Sequence, residues 1–413
     1  MAPKGAIFIC GIIMLFNELV DRGLVKQTTD AVEIQDLLDN KRITFYIGFD
    51  PTADSLHVGH LLQLITARRL KKQGHFPILL VGGATAQIGD PTGKSDMRKM
   101  LTADELEWNI SCVRGQIISL MPGLCSIVNN ADWTKNLNLL SFIQEFGIHF
   151  SVNNMLRADC FRSRMENGLS FLEFNYMLLQ AFDFFHLHES QGCILQIGGD
   201  DQWSNILAGI DLVHKKKEKK VFGLTIPLLT NSLGQKMGKT EKGAIWLDKR
   251  KTSVFDFFQF WRNLPDVDVM KCFKMLTFIP LEEIEKIPFS TIAEVNQAKK
   301  KLAFELTKLV HGEDEAMLAL KQAEALFESK DLSEVDVVSI EDNTHILDLI
   351  IRSGFADSRT EARNLINGRG ISINDEVLTN PTITISKLEF GNDVVLKKGK
   401  KNFCRFTIED SHV

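Results

Sequence analysis

Two rhythms of apolar residues run along the chain. Between residue 44 and about residue 230, continuous apolar runs at 43–49, 76–83 and 193–199 alternate with stretches such as 61–72, whose apolar residues recur at helical spacing. Continuous runs separated by helices predict a parallel sheet covered on both faces, an α/β domain over residues 1–245. Ligands of such sheets bind beyond the carboxyl ends of the strands. The segments 46–50, 82–90 and 196–201 are predicted strand ends, so they should face one crevice. From residue 252 to residue 328 the pattern turns almost wholly helical, with Phe255, Phe257, Phe258, Phe260 and Trp261 on one hydrophobic helix. This predicts a helical domain over 246–328. Residues 329–344 are acidic and poor in aromatics, the composition of a flexible linker. A separate α+β module is expected over 345–413. In it Ser358 precedes Glu361 by three residues as a helix cap, and Gly368 to Asn374 turns into a strand.

Composition narrows the picture. The chain has 413 residues, 44% of them apolar, enough for two or three domains and a substantial core. Its formal net charge of −5 means that nucleic-acid contact must come from local basic patches. Seven cysteines are scattered without a C-x-x-C pair, which predicts no zinc site and a reducing, cytoplasmic setting. The apolar stretch 7–16 is too short to span a bilayer and lacks a small-x-small cleavage site and arginines. Residues 1–13 are therefore read as an N-terminal extension, not as a signal or a membrane anchor.

Candidate chemistry lies in two short motifs. His57-Val58-Gly59-His60 stands where the run 43–49 passes into a helix, and a helix N-terminus favours an anion. Gly59 lets a ligand approach the backbone. Lys236-Met237-Gly238-Lys239-Thr240 is a cationic loop suited to closing over phosphates. Together they point to ATP chemistry in which a carboxylate attacks the α-phosphate. Tyr176, Gln180 and Asp183 stand at i, i+4 and i+7, one face of a helix.

The two motifs resemble the HIGH and KMSKS signatures of class I aminoacyl-tRNA synthetases. The wider set, Tyr46 through Leu56, Gly89 through Lys94, Tyr176 through Asp183 and Gln196 through Trp203, resembles the bacterial-type tyrosyl-tRNA synthetases, from about Leu15 to the C-terminus. The resemblance implies a Rossmann-like catalytic domain, a helical anticodon-region domain and a C-terminal S4-like RNA-binding domain, with Met14 a plausible natural start. It implies that Asp183 and Tyr46 meet the phenol, Tyr176, Gln180 and Asp90 hold the α-ammonium, and Gln196 and Gln202 complete the tyrosine pocket. For ATP it implies Gly48, Asp50, Gly59, Gly199 and Asp201, with Leu228 and Leu229 flanking adenine. Thr52, His57, His60, Lys236, Lys239 and Thr240 are the implied catalytic set, and Lys94 and Arg98 could assist on the phosphates. Mg²⁺ would accompany ATP on phosphate oxygens, with no tightly bound metal held by the protein. Partners implied are tyrosine, ATP, tRNA(Tyr) and a second copy of the chain, with no membrane. Residues 142–155, around His149, are compatible with the dimer surface.

The chain departs from the family's pattern in places. Gly238 and Thr240 replace the two serines of the lysine loop. Gln63 stands where a smaller residue is common, and Asp200 adds a carboxylate expected near the ribose. Tyrosine itself is scarce: 28 Phe against two Tyr, both at positions the family uses for its substrate. Phe182, His188, Phe255 and Phe258 stand where the family often has tyrosine, which suggests that Tyr46 and Tyr176 are kept for their hydroxyls. A chain so poor in tyrosine could be made when charged tyrosyl-tRNA is scarce, which synthesis under tyrosine starvation against a Tyr-rich homologue would test. Compositional drift explains the scarcity equally well. RNA contact is expected from Arg359, Arg363, Arg369, Lys397, Lys398, Lys400, Lys401 and Arg405. The run of lysines at 215–220 is an exposed helix face or a second RNA patch. The rival readings are a tryptophanyl enzyme and an RNA-binding scaffold without catalysis. Indole has one N–H donor and no acceptor, which disfavours the first beside Asp183 and Tyr46, and the intact histidine and lysine motifs disfavour the second.

Overall fold

A computed structural model describes residues 14–92, 101–165, 168–240, 243–325, 337–374, 376–399 and 402–409. Apolar runs become the strands of a six-stranded sheet. These are β1 (Gln27–Thr28), β2 (Thr44–Phe49), β3 (Phe76–Val81), β4 (Ser126–Asn129), β5 (Cys193–Gly199) and β6 (Phe222–Ile226), in the order β1-β6-β5-β2-β3-β4. β2 to β6 run parallel, as their continuous apolar character predicts. Edge strand β1 pairs antiparallel with β6, Gln27 opposite Thr225. Two residues give no periodicity, so β1 left no signal in the sequence. From β2 the chain moves to β3 and β4 on one side, then crosses to β5 on the other. The order thus reverses beside β2, and a crevice opens at its carboxyl end.

Helices cover both faces. Val58–Lys72 follows β2, Tyr176–Gln191 precedes β5, and Trp203–Lys217 follows it. Tyr176–Gln191 buries Phe182, Phe184 and Phe185 among Ile78, Leu80, Leu212 and Val213, and ends at Gly192 in a left-handed cap. Beyond residue 253 come helices Val254–Arg262, Asp266–Leu276, Leu281–Glu285, Ile292–His311 and Glu313–Glu324, with Phe257, Phe258, Trp261 and Phe273 fully buried.

The chain divides into two compact units. One compact unit spans Met1–Ala316 and a second Met317–Val413, so the sheet and most of the helical region expected as a separate domain fall together. Polar joints explain this. Arg22 donates to the Lys274 and Ile279 carbonyls at 3.1 and 2.8 Å, Arg69 donates to Thr277, and Lys271 donates to the Thr230 carbonyl at 2.8 Å. The stretch expected as linker, 329–344, carries β9 (Val337–Glu341) and the first residue of the two-residue β10 (Thr344–His345). β9 pairs parallel with the last strand, Asn402–Glu409. Residues 329–336 of that stretch lie outside the described residues; beyond them Val338 and Ile340 share one face of the strand, and Ile340 is buried. In the second unit the sheet and two helices share one core built on Ile346, Leu349, Ile350, Ile366, Leu396 and Phe406. Ser358 caps helix Arg359–Asn367 by accepting from the Glu361 N–H, as the sequence predicts.

Candidate active site

The crevice at the ends of β2 and β5 is a cavity of about 420 Å³. Its deep end is built on Tyr46 of β2 and Asp183 of the helix before β5, both buried. Asp183 accepts from Asn130 Nδ2 at 2.9 Å and Trp133 Nε1 at 2.8 Å, one donor to each carboxylate oxygen. Burial pushes its carboxyl up to about 7, against those two donors. Burial, with Asp183 nearby, also raises the Tyr46 phenol. Behind Trp133 the His186 ring stacks at 4.4 Å and 18°.

The hydrogen bonds continue forward. Asn130 also donates to Thr85 Oγ1 at 3.0 Å and accepts from the Ala84 N–H at 2.7 Å. Thr85 donates to Asp50 Oδ1 at 2.8 Å, and the Tyr176 hydroxyl donates to Asp50 Oδ2 at 2.8 Å. A Cβ on Gly82 would overlap the Asp50 and Thr85 side chains, so the glycine leaves room for the bond between them. On the facing side Gln202 donates to Asp90 Oδ2 at 2.6 Å, and Asn205 donates to Gln202 Oε1 at 3.1 Å. Five buried polar atoms of cavity-lining residues, Tyr46 OH, Gln63 Oε1, Thr92 Oγ1, Gln180 Oε1 and Gln196 Oε1, have no partner among the described residues. Buried polar groups are normally paired, so this wall fits a ligand that brings its own donors and acceptors.

The other end is the mouth of helix Val58–Lys72. His57 is its N-cap, accepting from the Gly59 N–H at 3.1 Å, while His60 Nδ1 accepts from the His57 N–H at 3.2 Å. The two rings stack at 4.0 Å. The lysine motif lies against this turn. The Ile245 carbonyl accepts from the Val58 N–H at 3.1 Å, and the Ile245 N–H donates to the Gly238 carbonyl at 2.7 Å. Gly238 has φ +78°, and a Cβ there would overlap Val58. Lys236 Nζ stands 3.8 Å from Asp201, whose carboxyl is raised by burial against the pull of that lysine.

The sequence-predicted residues thus come together. Tyr46, Gly48, Asp50, Thr52, His57, Gly59, His60, Asp90, Tyr176, Gln180, Asp183, Gln196, Gly199, Asp201, Gln202, Leu228, Leu229 and Lys236 all line this cavity. Lys239 and Thr240 contribute backbone to the hairpin of β7 (Lys239–Thr240) and β8 (Gly243–Ala244); their side chains, and Lys94 and Arg98, lie outside the described residues. Asp200 does not join. Its carboxylate accepts from Gln27 at 2.7 Å and Thr225 at 3.0 Å, turned toward the β1–β6 edge, and it does not line the cavity. Sequence reasoning missed Asn130 and Trp133. Their signal was slight: a polar and an aromatic residue just past a strand end.

Comparison with known proteins decides the family. Residues 38–328 match the class I tRNA synthetases (W and Y), and residues 325–406 match the tyrosine–tRNA ligase SYY-like C-terminal domain. A tyrosine–tRNA ligase of Clostridium botulinum (strain 657, type Ba4) is 49% identical over 96% of this chain and 100% of its own length. One from Acetivibrio thermocellus is 50% identical over 95% and 98%. The chain belongs to the tyrosine–tRNA ligases. A solved structure of a C-terminally truncated mitochondrial tyrosyl-tRNA synthetase from Aspergillus nidulans superposes with TM-score 0.69 at 33% identity, covering 76% of this chain and 94% of that one. A tryptophanyl-tRNA synthetase from Encephalitozoon cuniculi, at 16% identity and TM-score 0.54, shares the fold alone.

Within this ligase the basic stretches differ in character. Lys215, Lys216, Lys217 and Lys220 pair with Asp211, Glu145, Glu189 and the Asp30–Glu33 pair, so most of the lysine run is neutralised. In the C-terminal unit Arg359 forks onto Asp348 at 2.9 and 2.7 Å, Arg405 pairs with Asp393 at 3.0 Å, and Lys398 donates to the Phe355 carbonyl at 2.7 Å. Arg363 and Arg369 are exposed, Arg369 in the left-handed region at φ 55°. Lys397 lies on the strand Asp393–Lys398 opposite Ser372, and Lys400 and Lys401 lie outside the described residues.

Proposed function

We propose that the chain activates tyrosine with ATP and then transfers the tyrosyl group to the 3′-terminal ribose of tRNA(Tyr). The observation that carries this reading is the closed end of the cavity. A carboxylate held by two donors and a phenol without a partner among the described residues suit a substrate hydroxyl, which both donates and accepts. A benzyl side chain would leave these buried groups unpaired, which is how such a site rejects phenylalanine. Tyr176, Gln180 and Asp90 then take the α-ammonium, with Gln196 and Gln202 closing the pocket, so the carboxylate points toward the histidine motif. There it attacks the α-phosphorus while the bond to pyrophosphate breaks in line.

No protein nucleophile is needed, so catalysis is positioning and charge stabilisation. His57, Thr52, Lys236, Lys239 and Thr240 act on the phosphates. His60 packs near the ribose, Gly199 and Asp201 take its hydroxyls, Gly48 and Asp50 lie along the α-phosphate and ribose, and Leu228 and Leu229 flank the adenine. Mg²⁺ enters with the nucleotide and neutralises phosphate charge. The carboxylates at this end are compensated, Asp50 accepting from Tyr176 and Thr85 and Asp201 standing beside Lys236, which supports placing phosphates there.

For tRNA, the exposed Arg363 and Arg369 are the best-placed described phosphate contacts of the C-terminal unit. A second copy of the chain would cover Leu139, Leu140, Ile143, Ile148 and Val152, each more than half exposed. The setting is the cytoplasm, where ATP and tRNA are at hand; no described helix is long and apolar enough to cross a membrane. Pyrophosphate exchange into ATP, driven in turn by tyrosine, phenylalanine and tryptophan, tests the reading. Tyrosine alone should drive it well, and equal exchange with tryptophan or none with tyrosine would refute it.

A further inference from the structure

The segment after the lysine motif is stitched to the histidine motif by backbone. Besides the Val58–Ile245 bond, the Leu247 N–H donates to the Leu56 carbonyl at 2.8 Å, and His57 and Trp246 pair as an antiparallel bridge. Side chains continue the stitch. The Trp246 indole lies 6.2 Å from the His57 ring, and the Lys251 ammonium sits 4.8 Å over that indole. Lys251 in turn pairs with Asp54, in the loop between Thr52 and the histidine motif. Both side chains are about two-thirds buried, at 33% and 31% exposure, so solvent screens the pair only partly. The turn carrying Lys251 is itself fixed. Thr252 Oγ1 accepts from the Trp246 N–H at 3.0 Å, and the Asp248 carbonyl accepts from the N–H groups of Lys251 and Thr252, each at 3.0 Å.

Resting on the activity proposed above, we propose that Asp54, Lys251 and Trp246 form a latch that holds the lysine-motif loop on the histidine motif. Neither Asp54 nor Lys251 lines the cavity; they are positioning residues acting through Trp246 and the backbone around His57. The latch joins two segments far apart in sequence that must meet the same phosphates. A closed loop keeps Lys236 beside the nucleotide end of the cavity, whereas an open one leaves the phosphates facing water. The tyrosine end is built on β2, β5 and helix Tyr176–Gln191, and none of the three latch residues belongs to those elements.

The test uses the full chain with Lys251→Met, Asp54→Asn, the double variant and Lys251→Arg. Tyrosine-driven exchange by the unaltered chain comes first, since its absence would remove the activity reading itself and the latch with it. Given that exchange, Lys251→Met should lose roughly 5- to 30-fold in kcat/KM for ATP, from the combined loss of a partly buried ion pair and a cation–π contact, and Asp54→Asn, which removes the ion pair alone, roughly 2- to 5-fold. Tyrosine affinity by equilibrium dialysis and the melting temperature should hardly move. The double variant should lose no more than the worse single, and Lys251→Arg should keep most of the activity. Limited trypsin digestion should cut after Lys236 or Lys239 faster in Lys251→Met. Unchanged ATP kinetics, losses that multiply in the double variant, or an equal loss of tyrosine affinity would each overturn the latch.

Discussion

Trp133→Phe removes one hydrogen bond and little else. The phenyl ring can keep the stack on His186, but the Nε1–H that donates to Asp183 Oδ1 at 2.8 Å is gone. Asp183 then retains the Asn130 donor on its other oxygen. A hydrogen bond to a charged group contributes about 1.5–3 kcal/mol. One pKa unit corresponds to about 1.4 kcal/mol, so the Asp183 carboxyl should rise by about 1–2 units. It starts at about 7, held there by burial against its two donors. A raised carboxyl is protonated below that value and ionised above it. Tyrosine activation should therefore climb with pH through about 7 in the unaltered chain and through about 8–9 in the variant. Near neutrality the ionised fraction drops from about half to between roughly 1 and 10%, a loss of about 5- to 50-fold in kcat/KM for tyrosine. Pyrophosphate exchange measured from about pH 6 to about pH 9 gives both profiles. A loss that is the same at every pH, or an unshifted profile, would refute this account of the Asp183 environment.

Other variants probe other parts of the site. Asp183→Ala should weaken tyrosine activation and narrow its preference over phenylalanine by at least about 1.5–3 kcal/mol, read as the ratio of exchange rates. His57→Ala and Lys236→Ala should slow adenylate formation in single-turnover assays yet leave tyrosine binding by equilibrium dialysis nearly intact, because they meet charge that develops on the phosphates. Gly82→Ala forces Asp50 or Thr85 to move, so it should cost about 1–3 kcal/mol of stability in thermal melts and weaken tyrosine binding through the Asp50–Tyr176 bond. A chain ended near Ser329 should still exchange pyrophosphate at close to the full rate but charge tRNA poorly, and worse as salt rises.

Much of this protein was written locally in its sequence. Continuous apolar runs at β2, β3 and β5 and the 3.6-residue spacing of the helices fixed an α/β sheet, because burial on two faces and on one stripe leave different patterns. The i, i+4, i+7 spacing of Tyr176, Gln180 and Asp183 put three side chains on one helix face, and all three line the cavity. Ser358 and Glu361 announced their helix, since a cap and its partner lie within one turn. What escaped depends on contacts between distant segments. Strand β1 exists because β6 offers it an edge, and β9 because the last strand does. The sheet and helices of the first unit merge because Arg22 and Arg69 reach carbonyls more than 200 residues away. Asp200 and Asp201 are neighbours in sequence, yet one turns to Gln27 and Thr225 and the other to the cavity. Asn130 and Trp133 hold Asp183, and Lys251 meets Asp54, across separations that no local spacing records. Periodicity reports which side of an element is buried; the tertiary structure alone decides what it is buried against.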